Sequence, residues 1–176
     1  MEGDKSILGR VAAWKEAVLI AADNPVFGAG FKAGQNPVVW KYYELEFYKL
    51  DFIVDTSEYI APFAKAAHSI YFQVLGDQGF VGLLIFLGII IMSLGNLKKV
   101  IKGSDDDWLV DLAKMLQVTI VAYCVGGAAL SLPYFDFSFA LYALSHCLHG
   151  IMIRSRNMDN SLNKKERKNN EVFSNK

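Results

Sequence analysis

The sequence has no excess charge of either sign and very little cysteine, and each shortage excludes a class of protein. Its 18 Lys and Arg residues balance 18 Asp and Glu residues. A general nucleic-acid binder carries a basic surface, so we expect no nucleic-acid partner. The two cysteines, Cys124 and Cys147, lie inside apolar stretches. We therefore interpret them as small apolar residues, and we expect neither a disulfide framework nor a zinc site.

Charge is missing altogether from three long stretches in the second half of the chain. Residues 80–97 and 115–132 contain no charged residue, and residues 137–153 contain none unless His146 or His149 is protonated. Each stretch has 17 or 18 residues. At about 1.5 Å per residue, this length crosses most of a hydrocarbon core of roughly 30 Å.

These stretches define the expected fold class, an all-α integral membrane protein. Residues 1–79 should form amphipathic helices and a loop, and the three transmembrane helices should follow them. Residues 154–176 are rich in Asn, Lys and Glu, which predicts a disordered tail. The short turn at Pro133 carries no Lys or Arg, whereas basic residues follow the first and third stretches, at Lys98, Lys99, Lys102, Arg154 and Arg156.

The positive-inside rule therefore places the loop after residue 97 and the C-terminal tail in the cytoplasm. Residues 1–79 then lie outside. Residues 1–15 carry five charged residues and lack the uninterrupted apolar core of a cleavable signal peptide. Because an external segment of this length needs a signal ahead of it, we expect the chain to be the C-terminal part of a longer protein.

The first predicted element is an amphipathic helix over residues 6–22. Arg10 and Trp14 share one stripe of this helix, whereas Lys15 and Glu16 should point toward its more polar side. Two interpretations of Arg10 are equally good on the sequence. Its stem could cover apolar surface while its head reaches water, or its guanidinium could bind an anion beside the packed face.

A turn-rich stretch, NPVFGAGFKAG, follows at residues 24–34. Its G-x-G order is shared with phosphate loops, but no strand precedes it and the spacing of the third glycine is wrong. The glycines are therefore better interpreted as sites of backbone bending. The alternative is that backbone N–H groups of this loop bind an anion. Residues 35–65 mix aromatic and charged side chains, which suits a membrane interface or a surface that stacks on sugars.

Residues 67–94 contain the strongest candidate for chemistry. Read as one helix, this stretch aligns His68 with Gly79 and Gly82 on a single stripe. The two glycines would let another helix approach closely, and His68 would lie at the end nearest water. His68 is the candidate base, and its alternative is a histidine with ordinary partners at a helix entrance.

Two other polar features leave alternatives open. His146 and His149 are spaced three residues apart, which would permit metal binding, but a position facing a neighbouring helix is the commoner case. Asp136 could orient an acceptor or a histidine, or it could simply cap a helix.

The stretch around His68 resembles a known family. His68-Ser69, nine residues and then Gly79-Phe80-Val81-Gly82 fit the H-[NSQ]-x9-G-x-x-G pattern of the O-antigen ligase and polymerase superfamily. The upstream order agrees, because Arg10 and Trp14 match R-x3-W and residues 24–30 match NPxxGxG. The resemblance covers about residues 8–97, and its wording is most similar to the O-glycosylation ligases associated with exosortase.

This resemblance implies glycan transfer from a polyprenyl-diphosphate carrier to an acceptor hydroxyl on a lipid, a protein or a glycan. The reaction would take place on the periplasmic face of the bacterial inner membrane, in polysaccharide biosynthesis, without a metal or another cofactor. His68 would be the base, Arg10 would bind the diphosphate and Lys32 is a second choice for that role. The residues expected to be structural are Trp14, Pro25, Gly28, Gly30, Gly79 and Gly82.

Two other functions stay open on the sequence. A glycan polymerase of the same superfamily would share the donor chemistry and differ in the acceptor. A non-catalytic accessory protein with three membrane helices would use the apolar stretches to assemble with other helices.

Overall fold

The computed structural model describes residues 2–56 and 66–174, with backbone only at residues 2–6 and 166–174. Within these residues the chain is helical and has no strand. The predicted aromatic stretch over residues 35–65 therefore falls partly, at residues 57–65, outside the described residues. The helices are α1 (Glu2–Asp23), α2 (Pro37–Glu44), α3 (Ile70–Gly103), α4 (Asp107–Gly127) and α5 (Asp136–Ser174), and short 3-10 turns span Ala33–Gln35 and Phe47–Leu50.

The chain divides into two compact units. The first unit comprises Met1–Ile89 with Val121–Phe135, and the second comprises Ile90–Ile120 with Asp136–Lys176. The motif residues named above all lie in the first unit. Its small core joins α1, α2 and the Phe47–Leu50 turn through Ala12, Ala13, Leu19, Ile20, Trp40, Tyr43 and Phe47.

Local signals in the sequence set the start of α2. The Asn36 side chain accepts a hydrogen bond from the Val38 N–H at 2.9 Å, and Pro37 occupies the first helical position, where its missing N–H costs nothing. The helix then buries Trp40 and Tyr43. The Trp40 ring meets the Phe47 ring edge-on at 5.6 Å, so this aromatic pair closes the core.

The single straight helix expected over residues 67–94 is wrong in two places. His68 precedes α3 in a left-handed conformation, with φ 46°. Gly79 then interrupts α3 with φ 70° and ψ −171°. The stripe that would align His68 with Gly79 and Gly82 therefore does not exist, because both its start and its middle leave helical geometry.

Two of the described helices, α3 and α4, are long and apolar enough to cross a membrane. Large apolar side chains such as Ile91, Met115 and Val118 are exposed on them, as expected for surfaces that face lipid. The first predicted stretch, 80–97, lies within α3. The second was predicted over 115–132, whereas α4 ends at Gly127.

The third predicted span, residues 137–153, lies within α5 and stays a prediction. Ser138, His146 and His149 reduce its apolar character. The helix continues through residues 154–174, where the composition predicts disorder. Asp136 lies in its first turn, where a carboxylate interacts favourably with the helix dipole.

Candidate functional site

Trp14 fixes the chain next to His68. Its Nε1 donates a hydrogen bond to the Ala67 carbonyl oxygen at 2.6 Å. Its ring stacks on Phe72, with centroids 4.9 Å apart and planes 10° apart. Trp14 thus contacts the chain on both sides of His68, at Ala67 before it and at Phe72 in the first turn of α3.

His68 itself is exposed and conformationally constrained. A positive φ is unfavourable for a residue with a Cβ, so the surrounding contacts must hold it. One such contact is a hydrogen bond of 2.7 Å from the His68 N–H to Ser131 Oγ. Its neighbour Ser69 is buried. The backbone is therefore anchored while the imidazole stays accessible to water.

Arg10 lies one helical turn before Trp14 on the same stripe of α1. It is half-buried. The structure therefore places Arg10 on the helix whose Trp14 bonds to Ala67, the residue before His68. Among the residues that the structure describes, no hydrogen bond joins Arg10 to His68.

The glycine-rich loop exchanges backbone hydrogen bonds with the kink in α3. The N–H groups of Ala29 and Gly30 donate to the carbonyl oxygens of Gly76 and Asp77, each at 3.0 Å, and the Phe80 N–H donates to the Pro25 carbonyl at 2.8 Å. In an unbroken helix the Gly76 carbonyl would instead receive the Phe80 N–H. The kink and the loop thus satisfy each other's backbone groups.

This exchange explains the glycines of the motif. A Cβ at Gly28 would lie 2.5 Å from the Gly76 oxygen, and one at Gly79 would lie 2.6 Å from the Pro25 oxygen. Both residues also have positive φ. Gly30 needs its positive φ but faces open space. At Gly82 the nearest group is the side chain of Gln78 on the same helix, so the close approach of another helix, expected there, is not seen.

The loop does not offer a free anion cradle at its G-x-G. Its N–H groups at Ala29 and Gly30 already donate to α3. Further along, the Ala33 N–H donates to the Gly30 carbonyl oxygen at 3.2 Å. Lys32 is an exposed residue with φ 58°. Its side chain is therefore the part of this loop that stays available to bind an anion.

Asp77 collects hydrogen bonds from several elements. The Tyr134 hydroxyl donates to its Oδ2 at 3.1 Å, and the Gly30 N–H donates to its backbone carbonyl oxygen at 3.0 Å. The Tyr134 ring contacts the Phe31 ring edge-on at 4.9 Å. Burial raises the pKa of the Tyr134 hydroxyl, and the Asp77 carboxylate adds to that shift. Asp77 is thus the centre that ties the loop to α3.

The prediction for Lys15 and Glu16 is wrong, because both are buried. Glu16 is 1% exposed, and burial raises the pKa of its carboxyl to about 9. Lys15 is 5% exposed and pairs with Asp51 at 2.5 Å and Thr56 Oγ1 at 2.9 Å. The loops pack against the side of α1 that single-helix periodicity assigns to solvent.

A small cavity of about 30 Å³ opens beside this buried carboxyl. The side chains of Glu16, Lys32, Gln73 and Asp77 line it, together with Ala67 and the Phe72 ring. Ala67 is the residue before His68, so the cavity extends to the neighbour of the candidate base in the chain. No motif of the sequence predicts this cavity. The nearest signal was the spacing of Gln73 and Asp77, which lie four residues apart and therefore on one helix face.

The histidines of α5 lie elsewhere. His146 Nδ1 is 2.9 Å from the Tyr142 carbonyl oxygen of its own helix. Among the described residues, no group of three His, Cys, Asp or Glu side chains is placed to hold a metal ion.

The comparisons with known proteins concern the same part of the chain. The family model described as O-Antigen ligase matches residues 1–87. The superfamily that the motifs predict is therefore confirmed for this region, which contains Arg10, Trp14, His68 and the glycine loop. The likeness to exosortase-associated ligases stays a prediction. No curated protein and no solved structure matches the chain.

Proposed function

We propose that this chain, whose residues 1–87 match the O-antigen ligase family, transfers a glycan from a polyprenyl-diphosphate carrier to an acceptor hydroxyl. The observation that carries the proposal is the hydrogen bond from Trp14 Nε1 to the Ala67 carbonyl. It joins the R-x3-W motif to the residue before His68. Two motifs that are more than fifty residues apart in the chain therefore contribute to one place.

His68 is the general base of the proposed reaction. The acceptor oxygen attacks the anomeric carbon of the glycan and forms the new glycosidic bond. The bond between that carbon and the diphosphate oxygen breaks, and the electron pair leaves with the polyprenyl diphosphate. The acceptor proton passes to the imidazole of His68. An exposed ring on an anchored backbone suits this role, because the acceptor can reach the ring while the ring keeps its position.

Arg10 is proposed to bind the diphosphate. A diphosphate leaving group already carries charge well, so it needs cationic contacts more than it needs a strong acid. A guanidinium donates two parallel hydrogen bonds to phosphate oxygens. Lys32 is the second choice, because its exposed ammonium lies on the loop that packs against α3.

The proposed location follows from the apolar helices. With α3 and α4 in the bilayer and residues 137–153 of α5 as the third proposed span, the positive-inside rule favours residues 1–79 on the periplasmic face and the C-terminus in the cytoplasm. The proposed partners are then the bacterial inner membrane, the lipid-linked glycan and a hydroxyl acceptor.

The first test replaces His68 with alanine. The chain is produced in a bacterial membrane that has no ligase of its own but contains the polyprenyl-diphosphate donor, and the transferred glycan is measured. Loss of a general base lowers the rate by about 10²–10⁴-fold, so His68→Ala should abolish detectable transfer. The matched control is His149→Ala, which removes a histidine far along α5 and should leave transfer intact.

The product of this assay also separates the alternatives. A single transferred glycan identifies a ligase, and a ladder of repeats identifies a polymerase. Normal transfer by His68→Ala would refute the base assignment. Absence of transfer by the wild-type chain, with normal membrane insertion, would contradict the proposal that this chain transfers a glycan on its own.

The second test replaces Arg10 with lysine. This change keeps the positive charge but removes the planar pair of N–H donors. If Arg10 binds the diphosphate, Arg10→Lys should lower transfer at least about tenfold, as expected when one good charged hydrogen bond is lost. Wild-type activity would exclude this role and favour the interpretation of Arg10 as a stem that covers apolar surface.

A further inference from the structure

The cavity beside Glu16 contains hydrogen-bonding groups that the fold does not satisfy. Glu16 Oε1 and Gln73 Oε1 are both buried, and within the described residues neither has a hydrogen-bond partner. The residues themselves are 1% and 8% exposed. An unsatisfied buried acceptor destabilises the folded state. Two such acceptors at one cavity therefore indicate a binding site for a ligand.

The hydrogen bonds of the neighbouring polar groups show which atoms at the cavity are left without a partner. Of the two polar atoms of the Gln73 amide, the oxygen is the one that is buried without a partner among the described residues. The Asp77 carboxylate already receives a hydrogen bond of 3.1 Å from the Tyr134 hydroxyl. The open positions are thus at Glu16 and Gln73, not at Asp77.

The chemistry of these two groups selects the class of ligand. The raised pKa of Glu16 keeps its carboxyl protonated near neutral pH, so this carboxyl can donate one hydrogen bond. Gln73 Oε1 can accept one. A hydroxyl group accepts and donates at the same oxygen. Lys32 on the cavity wall disfavours a cation, and the Asp77 carboxylate disfavours an anion.

The size of the cavity agrees with this class. About 30 Å³ of space for water-sized groups holds about two of them, which fits a hydroxyl together with the carbon that carries it. Phe72 also lines the cavity and is an apolar neighbour for C–H groups. A sugar hydroxymethyl group presents this combination of an O–H and a small apolar carbon.

We propose that this cavity binds a hydroxyl group of the acceptor, with Glu16 and Gln73 as its hydrogen-bond partners. The proposal rests on the proposed function, because Ala67 on the cavity wall places the site next to His68. Glu16 and Gln73 then select an acceptor that carries a second hydroxyl near the one that reacts. They do not take part in the proton transfer.

The first experiment measures binding without catalysis. The detergent-solubilised chain is heated with increasing concentrations of a methyl hexopyranoside, and its Tm is recorded. The wild-type chain and Glu16→Gln should show a saturable rise in Tm, because a neutral amide replaces a neutral carboxyl. Glu16→Leu should show none, and the 6-deoxy glycoside should raise the Tm of the wild-type chain much less.

Without ligand, Glu16→Leu should raise the Tm, because it removes an unsatisfied buried group. A residue with only a structural role would lower the Tm when replaced. The matched control is Ser93→Ala, which removes another buried hydroxyl that has no partner among the described residues but lies outside the cavity. Its response to the glycoside should equal that of the wild-type chain.

The second experiment uses the transfer assay. Glu16→Leu should raise the KM for the acceptor about fivefold, the effect of about one hydrogen bond, and leave kcat nearly unchanged. Glu16→Gln should restore most of the wild-type KM.

Two results would contradict the proposal that this cavity binds an acceptor hydroxyl. One is a Tm of the wild-type chain that does not respond to the glycoside. The other is a Glu16→Leu variant that is more stable but has an unchanged KM, which would mean that the cavity holds only water. Transfer by His68→Ala would refute the proposed function instead, so the two failures are distinguishable.

Discussion

Two glycines of the first unit and two of the second have opposite surroundings. Gly28 and Gly79 in the first unit have positive φ, and a Cβ at either would meet backbone atoms at 2.5–2.6 Å. Gly95 and Gly150 in the second unit lie in helices, and a Cβ at either would meet nothing within 4 Å. Glycine is thus a geometric requirement at the first two positions, whereas the second two have space for a side chain.

One ion pair from each unit shows a similar contrast, and the first unit also contains a more exposed pair whose members are three residues apart. Lys15 and Asp51 in the first unit are 36 residues apart in the chain, and the lysine is buried. Lys114 and Asp111 in the second unit are three residues apart on one exposed helix face. The buried pair in the first unit therefore joins two distant parts of the chain. The described helices of the second unit present apolar side chains to their surroundings.

The strongest test of this contrast is Gly79→Ala. The new Cβ would meet the Pro25 carbonyl at 2.6 Å, and the backbone would keep a φ that alanine rarely adopts. A strained backbone of this kind costs about 1–3 kcal/mol before the overlap is counted. We expect the Tm of the detergent-solubilised chain to fall by about 10 °C or more.

Gly95→Ala is the matched control in the second unit. It adds a methyl group in open space within a helix, where alanine is favoured over glycine by about 1 kcal/mol. Its Tm should stay equal or rise slightly. A similar loss of stability in both variants would show that the exchange between the loop and the kink has no special importance.

The second prediction compares the two ion pairs. Asp51→Asn leaves the buried ammonium of Lys15 without its carboxylate, which is the costly way to break such a pair. We expect the Tm to fall by about 5 °C, whereas Asp111→Asn should change it by about 1 °C or less, because that pair is exposed. Equal effects would contradict the distinction between the units.

The pH dependence of this pair has a defined sign. The Lys15 ammonium lowers the pKa of the Asp51 carboxyl. The pair therefore stabilises the fold above the ordinary pKa of an aspartate, and that stability is lost as the pH falls through the lowered value. Acid should destabilise the wild-type chain more than Asp51→Asn.

The sequence predicts the elements that depend on local pattern. The helix expected over residues 6–22 is observed as Glu2–Asp23, and the first two apolar stretches lie largely within α3 and α4. The family was also predicted correctly, since it depends on residue types at fixed spacing. These features need no knowledge of distant contacts.

The features that the sequence did not predict all depend on contacts between distant residues. The kink at Gly79 exists because the Pro25 carbonyl receives a hydrogen bond from the Phe80 N–H. The helical periodicity of the sequence does not predict that bond. Lys15 and Glu16 were assigned to a polar face, but the loop residues Asp51 and Gly34 cover them. The cavity beside Glu16 follows from this coverage, so no motif could indicate it.

The last prediction concerns Glu16 and pH. Burial raises the pKa of its carboxyl from 4.5 to about 9, so between these values the folded state binds more protons than the unfolded state. Stability should therefore fall as the pH rises from about 5 to 9. One such group contributes at most about 1.4 kcal/mol per pH unit, or about 3–6 °C of Tm per pH unit.

Glu16→Gln should remove this part of the pH dependence, because an amide does not titrate. The other charged side chains on the cavity wall, Lys32 and Asp77, are kept in this variant, so the difference between the two pH profiles isolates Glu16. Parallel profiles would mean that the carboxyl is ionised in the folded state. Glu16 could then donate no hydrogen bond to an acceptor hydroxyl, and the cavity would instead favour a ligand that only donates.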